Sequence, residues 1–282
     1  MGQIGEQLVA CFKETVEANE EGLRDFVQVA EGVHDIEQLV RSGHDPLHAA
    51  YIQAQNFTSL FAEGVSQLEE LDEYAEIVGD AEDAYMPDGP PISPLTRSYF
   101  TTWAFFDLRL GPDEETIGTC LLELADVIGM DEFQTETIRN FQQTRMGIYE
   151  HVGTSGSRVR LRELVTGKEF LCHATSGYRG KKGELWYVRL CPPIAELADY
   201  YLVLTTPYIL SNASENDWTA YLRKNVAGSP KHLESALDEF LKYGPERFHW
   251  HEFLFQAYHH HQFDAIFLAG LPDVKGSLPN AN

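Results

Sequence analysis

The chain has 282 residues, 43% of them hydrophobic and 12% aromatic, enough to bury a substantial core, and it carries 44 acidic against 21 basic residues for a net charge of −23. Its longest apolar runs, such as IFLAG at 266 to 270, fall far short of the ~20 residues that a membrane-spanning helix needs, so no membrane association is expected. An acidic excess of this size repels nucleic acid at long range and favours basic partners.

The N-terminus lacks a basic start followed by an apolar stretch and a small-residue cleavage site, and Glu6 stands where a myristoylation signal has Ser or Thr. A cytoplasmic protein is therefore expected. Ile4, Leu8, Phe12 and Val16 then recur at i, i+4, and Phe26, Val29, Val33, Ile36 and Val40 keep near-helical spacing up to a stop at Gly43. Asp45 as N-cap and Pro46 at the first helical position open a third, longer helix. Its apolar stripe is Leu47, Tyr51, Ala54, Phe57, Phe61, Val65, Leu68 and Leu71. Residues 69 to 88 hold nine Asp and Glu and no Lys or Arg, which reads as a solvated helix face running into a linker or as a docking surface for a basic partner. Residues 1–79 are thus taken as an acidic helical region. Residues 80–96, with four prolines in MPDGPPISPLT, are taken as a Pro-rich linker, and 97–282 as an α+β domain.

Within that domain, RSYFTTWAFFDLRLG is strongly aromatic, and residues 112–130 and 131–151 read as helices with acidic openings that suit the helix dipole. From about 157 to 210 the period changes from helical to alternating, which predicts a β-module of four or five strands. TGKE and RGKKGE serve as its hairpin turns, and YYLVLTT is a further strand. Ser214 with Asp217, and Ser229 with Pro230, open two C-terminal helices. The expected fold class is α+β: an N-terminal helical bundle, a central small antiparallel β-sheet or barrel, and C-terminal helices. Cys11, Cys120, Cys172 and Cys191 are widely spaced with no C-x-x-C pair, so they read as reduced and mostly buried.

The succession GPPISPLTRSYFTTWAFFD, TRMGIYEH, LRELVTG, SGYRGKKGELWYVRLCPP, TTPYIL and AIFLAGLPD resembles an uncharacterised family of bacterial hypothetical proteins over about residues 85–275. VRLRELVTGKEF followed by GELWYVRLCPP is also similar to a small β-module found beside SEC-C motifs, whose cysteines this chain lacks. The resemblance implies a bacterial, cytosolic α+β protein. It carries over no activity and no catalytic residue.

HWHEFLFQAYHHH at 249–261 raises the question of a metal. On a helix, His249, Glu252 and His260 would share one face and Asp264 could add a ligand, a set suited to a divalent ion such as zinc. The spacing fails the H-E-x-x-H pattern because position 255 is Phe. Without metal, the same histidines read as hydrogen-bonded side chains, with His259 to His261 at the negative end of a helix. No phosphate loop, nucleophile elbow or dinucleotide fingerprint is present.

The β-module offers the stronger candidate surface. Residues 158–189 hold eight basic and three acidic residues, whereas 1–96 hold three basic and twenty acidic. Arg158, Arg160 and Arg162 alternate and so project from one strand face, while Arg179, Lys181 and Lys182 crowd a turn beside Tyr178 and Trp186. Cations interleaved with aromatics suit a stacked base or phosphate. They equally suit neutralisation of the acidic helices, in the same chain or in a homodimer, or a protein partner. The leading reading is a non-catalytic bacterial interaction protein with acidic helices and a basic β-module as separate contact surfaces. It uses no cofactor, binds a protein partner or itself, and does not bind nucleic acid. Two alternatives are a metal-dependent hydrolase built on residues 249–264 and an acidic immunity or antitoxin protein that masks a basic toxin.

Overall fold

The computed structural model describes residues 2–18, 36–66, 72–89, 93–195, 197–211, 214–226, 233–244 and 258–269. It is of mixed α+β class and divides into two compact units, one of residues 1–143 with 194–198 and the other of residues 144–193 with 199–282.

The first unit is helical: α1 (Gln3–Ala18), α2 (Ile36–Arg41), α3 (Pro46–Val65), α4 (Asp72–Tyr85), α5 (Arg97–Phe106), α6 (Ile117–Leu124) and α7 (Glu132–Gln143). Side chains cap several of their starts. Asp45 accepts from the Leu47 and His48 amides at the head of α3, Thr96 caps α5, and Thr116 with Thr119 closes a capping box on α6. Leu47, Tyr51 and Phe61 of α3, Phe106, Leu121, Leu124 and Phe141 are fully buried. Phe106 and Phe141 stack at 4.4 Å between ring centroids, and Tyr51 meets Phe141 edge-on at 5.3 Å.

The start of α1 is capped from a distant part of the chain. Leu110 and Glu115 exchange backbone hydrogen bonds of 2.7 and 2.9 Å across a tight turn. The buried Glu115 carboxylate accepts from the amides of Ile4 (2.8 Å) and Gly5 (2.9 Å), and Asp113 accepts from that of Gln3 (2.8 Å). Three of the donors that every helix N-terminus leaves open are thereby satisfied. Glycine favours so close an approach: a Cβ on Gly2 would overlap the Glu115 carboxyl that makes the clamp, and one on Gly5 would displace the tip of the Glu123 side chain.

In the second unit, β1 (Met146–Ser155), β2 (Arg158–Glu163), β3 (Glu169–Ala174), β4 (Leu185–Cys191) and β5 (Tyr201–Val203) close a barrel in the order β1-β2-β3-β5-β4-β1. β6 (Tyr208–Ser211), β8 (Ile266–Ala269) and β7 (Tyr258–His261) extend the sheet from β4, and helices α8 (Glu215–Asn225) and α9 (Leu233–Tyr243) follow β6 in sequence. Alternation decides which side chains fill the barrel: Tyr149, Val159, Leu161, Cys172, Trp186, Val188 and Val203 form its core. Arg145, half-buried at the foot of β1, joins Glu163 of β2 (2.8 Å) and Asp238 of α9 (2.6 Å), and Lys242 of α9 donates to the Thr144 carbonyl (2.9 Å). These bonds tie α9 to the barrel.

The structure corrects several sequence readings. The helix expected over 131–151 ends at Gln143, and β1 takes its second half, since Ile148 and Tyr149 gain more from pairing with β4 than from a further helical turn. RGKKGE closes no hairpin, because β4 pairs with β1, β5 and β6 rather than with β3. Nor is the sheet purely antiparallel, as β3–β5 and β6–β8 run parallel. α4 continues to Tyr85, inside the stretch read as a linker, and the two units divide at residue 143 rather than at 96. Residues 258–261 form a strand and not the end of a helix, so the His259 to His261 group caps no helix. The helix expected from Phe26 lies outside the described residues apart from its last turns in α2.

Candidate functional site

The charges divide between the units. By sequence the helical unit holds 30 acidic and 6 basic residues, a net of −24, and the β-unit holds 14 acidic and 15 basic, a net of +1. α4 is the sharpest local case. Asp72, Glu73, Glu76, Asp80 and Asp83 are all exposed, and among the described residues none of the five has a basic partner. Among the described residues Glu82 alone on this helix is bridged, by Arg97. Asp72, Glu76 and Asp80 follow one another at i, i+4, a spacing at which like charges destabilise a helix. Asp83 stands in the last turn, where the dipole disfavours acid. The helix forms because Tyr74, Ala75, Val78 and Tyr85 give it an inner face, with the Tyr85 ring edge-on to Trp103 at 5.4 Å.

On the barrel, Arg158, Arg160 and Arg162 do share the outer face of β2, with Val159 and Leu161 pointing inward. Part of the expected basic surface is nevertheless neutralised by its own unit. Arg162 pairs with Glu150 on β1 and lies 3.8 Å from Glu215. The Arg158 guanidinium lies 3.7 Å from the centre of the Tyr200 ring and 3.5 Å from Asp199. Arg179 donates to the Gly156 carbonyl in the β1–β2 turn. The exposed Arg160, Lys181 and Lys182 form no ion pair among the described residues.

Of the aromatic half of that surface, Trp186 is internal and Tyr178 is half-buried. Trp186 is fully buried, because alternation on β4 sends it inward with Val188 and Leu190, so it offers no ring for a ligand to stack on. Tyr178 lies against it at 5.3 Å and donates from its hydroxyl to Glu184 (3.0 Å). Burial, reinforced by the Glu184 charge, pushes the Tyr178 phenol well above its ordinary value. Gly180, in the left-handed region at φ +58°, is what lets the turn close over this pair: a Cβ there would sit 2.6 Å from Trp186 Cζ2.

Of the residues read as metal ligands, His249 and Glu252 lie outside the described residues. His260 is exposed on β7, and Asp264 stands in the β7–β8 turn, where its carbonyl accepts from Ser176 (2.7 Å). Among the described residues no group of three His, Cys, Asp or Glu is arranged to hold a metal ion. Burial holds the thiols of Cys120 and Cys172 above their ordinary range and that of Cys191 up to about 12, so these sulfurs are protonated and poor nucleophiles.

Two features were not foreseen from sequence. His151 is buried on β1, 5.7 Å from the Trp186 ring, with neither ring nitrogen hydrogen-bonded among the described residues. The other is the Glu115 clamp on α1, whose traces in the sequence are the paired Gly2 and Gly5 and the acidic run at 113 to 115. No family model, curated protein or solved structure matches the chain.

Proposed function

We propose that the chain is a non-catalytic interaction protein whose acidic helical unit, presented chiefly through α4, docks a basic protein partner. A single observation carries this reading: the helical unit holds the whole net charge of the molecule, and α4 keeps five exposed carboxylates that have no basic partner among the described residues, at spacings that weaken the helix. A solvated face needs charge, but it gains nothing from like charges one turn apart with no Lys or Arg among them. Such a surface speeds encounter with a basic partner and disfavours acidic ones. Arg160, Lys181 and Lys182 supply a smaller contact of opposite sign on the barrel. A cytoplasmic setting, and a bacterial one by the resemblance above, fit this role.

The reading is tested with a lysine-rich peptide titrated into the full chain at rising salt. Binding should weaken steadily with ionic strength, since the Debye length shrinks from about 10 Å at 0.1 M to about 3 Å at 1 M. Neutralising α4 by Glu76→Gln with Asp80→Asn should weaken it further. Neutralising Lys181 and Lys182 should leave it unchanged. An affinity that ignores the α4 substitutions would rule out α4 as the docking surface.

A further inference from the structure

The inner side of α4 roofs a cavity of about 140 Å³, lined almost wholly by apolar side chains of α1, α3, α4, α5 and α6. Ile4 and Phe61 form its buried wall, while Val65, Tyr74, Val78 and Ile117 are only half-buried and leave it open at one side. Protein interiors are packed with few voids larger than a water molecule, so an opening of this size stands out as more than ordinary looseness. Its volume is close to that of apolar cavities known to stay dry and to admit a benzene ring. The one carboxylate on its wall, Glu115, is already engaged by the amides of Ile4 and Gly5 and by the Cys120 thiol. An apolar group, not a charged one, therefore matches the interior.

The same helix that roofs the cavity carries charge on its outer side: Tyr74, Ala75 and Val78 line the cavity, while Glu73, Glu76 and Asp80 are exposed. We infer that the partner is a basic peptide segment carrying one aromatic or large aliphatic anchor, with the anchor in the cavity and the flanking Lys or Arg residues over the carboxylates of α4. This inference rests on the functional reading above and specifies it. The division of work is the usual one at interfaces, in which a pocketed anchor supplies most of the affinity and the surrounding charges guide approach.

The experiment compares two peptides on the full chain, one lysine-rich with a single central Phe and the other identical except for Ala in place of Phe. The Phe peptide should bind at least roughly tenfold more tightly. Ala75→Leu, which narrows the cavity, should erase that difference while leaving the salt-dependent affinity of the Ala peptide intact, and Ala62→Leu serves the same purpose from α3 should Ala75→Leu fail to fold. Glu76→Gln with Asp80→Asn should weaken both peptides by the same factor. Equal binding of the two peptides, or a Phe advantage that survives both cavity-filling variants, would overturn the anchor while leaving the acidic docking surface standing. If neither peptide binds the folded protein, the docking surface falls as well.

Discussion

A surface kept for binding at the expense of stability can be tested at Glu76. Asp72, Glu76 and Asp80 are exposed and spaced one helical turn apart on α4, so Glu76 takes part in two like-charge i, i+4 pairs. Each such pair destabilises a helix by roughly 0.2–0.5 kcal/mol at low salt. Glu76→Gln removes both pairs and leaves helix propensity almost unchanged, so it should stabilise the helical unit by about 0.4–1 kcal/mol. The measurement is urea unfolding followed by far-ultraviolet circular dichroism at 20 mM and 500 mM salt. The gain should be present at the lower ionic strength and mostly gone at the higher, where screening acts within a few ångströms. A variant less stable than wild type at low salt would show that Glu76 has a structural partner, and a gain that persists at high salt would show that it is not electrostatic. Either result would remove the argument that α4 retains its charge for binding.

Two further predictions concern what holds each unit together. Glu115→Ala leaves the buried amides of Ile4 and Gly5 without an acceptor, which at roughly 1–3 kcal/mol for each orphaned group should cost the helical unit about 2–6 kcal/mol in urea unfolding; a loss below about 1 kcal/mol would mean that α1 is held by packing alone. In the β-unit, burial keeps Cys172 and Cys191 protonated, Cys191 up to about 12, whereas thiols in the unfolded chain ionise near pH 8.5. The raised folded values mean that stability is fully present below that pH and is lost as pH rises toward 12, by on the order of 2–3 kcal/mol per pH unit for the two groups. Stability measured from pH 8 to 11 should fall accordingly, and a flat profile would show that the thiols are not shielded.

Local signals carried much of the fold. The N-caps at Asp45 and Ser214 and the alternation of β2 and β4 depend on neighbours only a few residues away, and each was legible from the residues themselves. What misled were choices settled by distant pairing. Residues 146–151 carry a pattern compatible with either state, and β4 lying alongside makes them a strand. The Gly-rich turn at 179–184 resembles a hairpin because nothing local shows that its second strand closes a barrel with β1. The candidate basic surface was half-legible for a related reason: the outward alternation of Arg158, Arg160 and Arg162 is a property of one strand. The neutralisation of Arg158 by Asp199 and of Arg162 by Glu150 and Glu215, and the burial of Trp186, are properties of the closed barrel. The acidity of α4 could be read directly, but the cavity beneath it could not, because its walls come from five helices spread over residues 4–120.

The central claim is that the acidic helical unit meets a basic partner through α4, and site-specific photo-crosslinking in the cell of origin tests it most directly. A photoreactive residue in place of Glu76 should capture a protein that is basic overall, with the crosslink falling within a Lys- or Arg-rich segment beside an aromatic or large aliphatic residue. The same residue in place of Lys181 on the barrel should capture that partner weakly or not at all. Capture from Lys181 alone, or capture at Glu76 of an acidic protein or a second copy of this chain, would contradict the account.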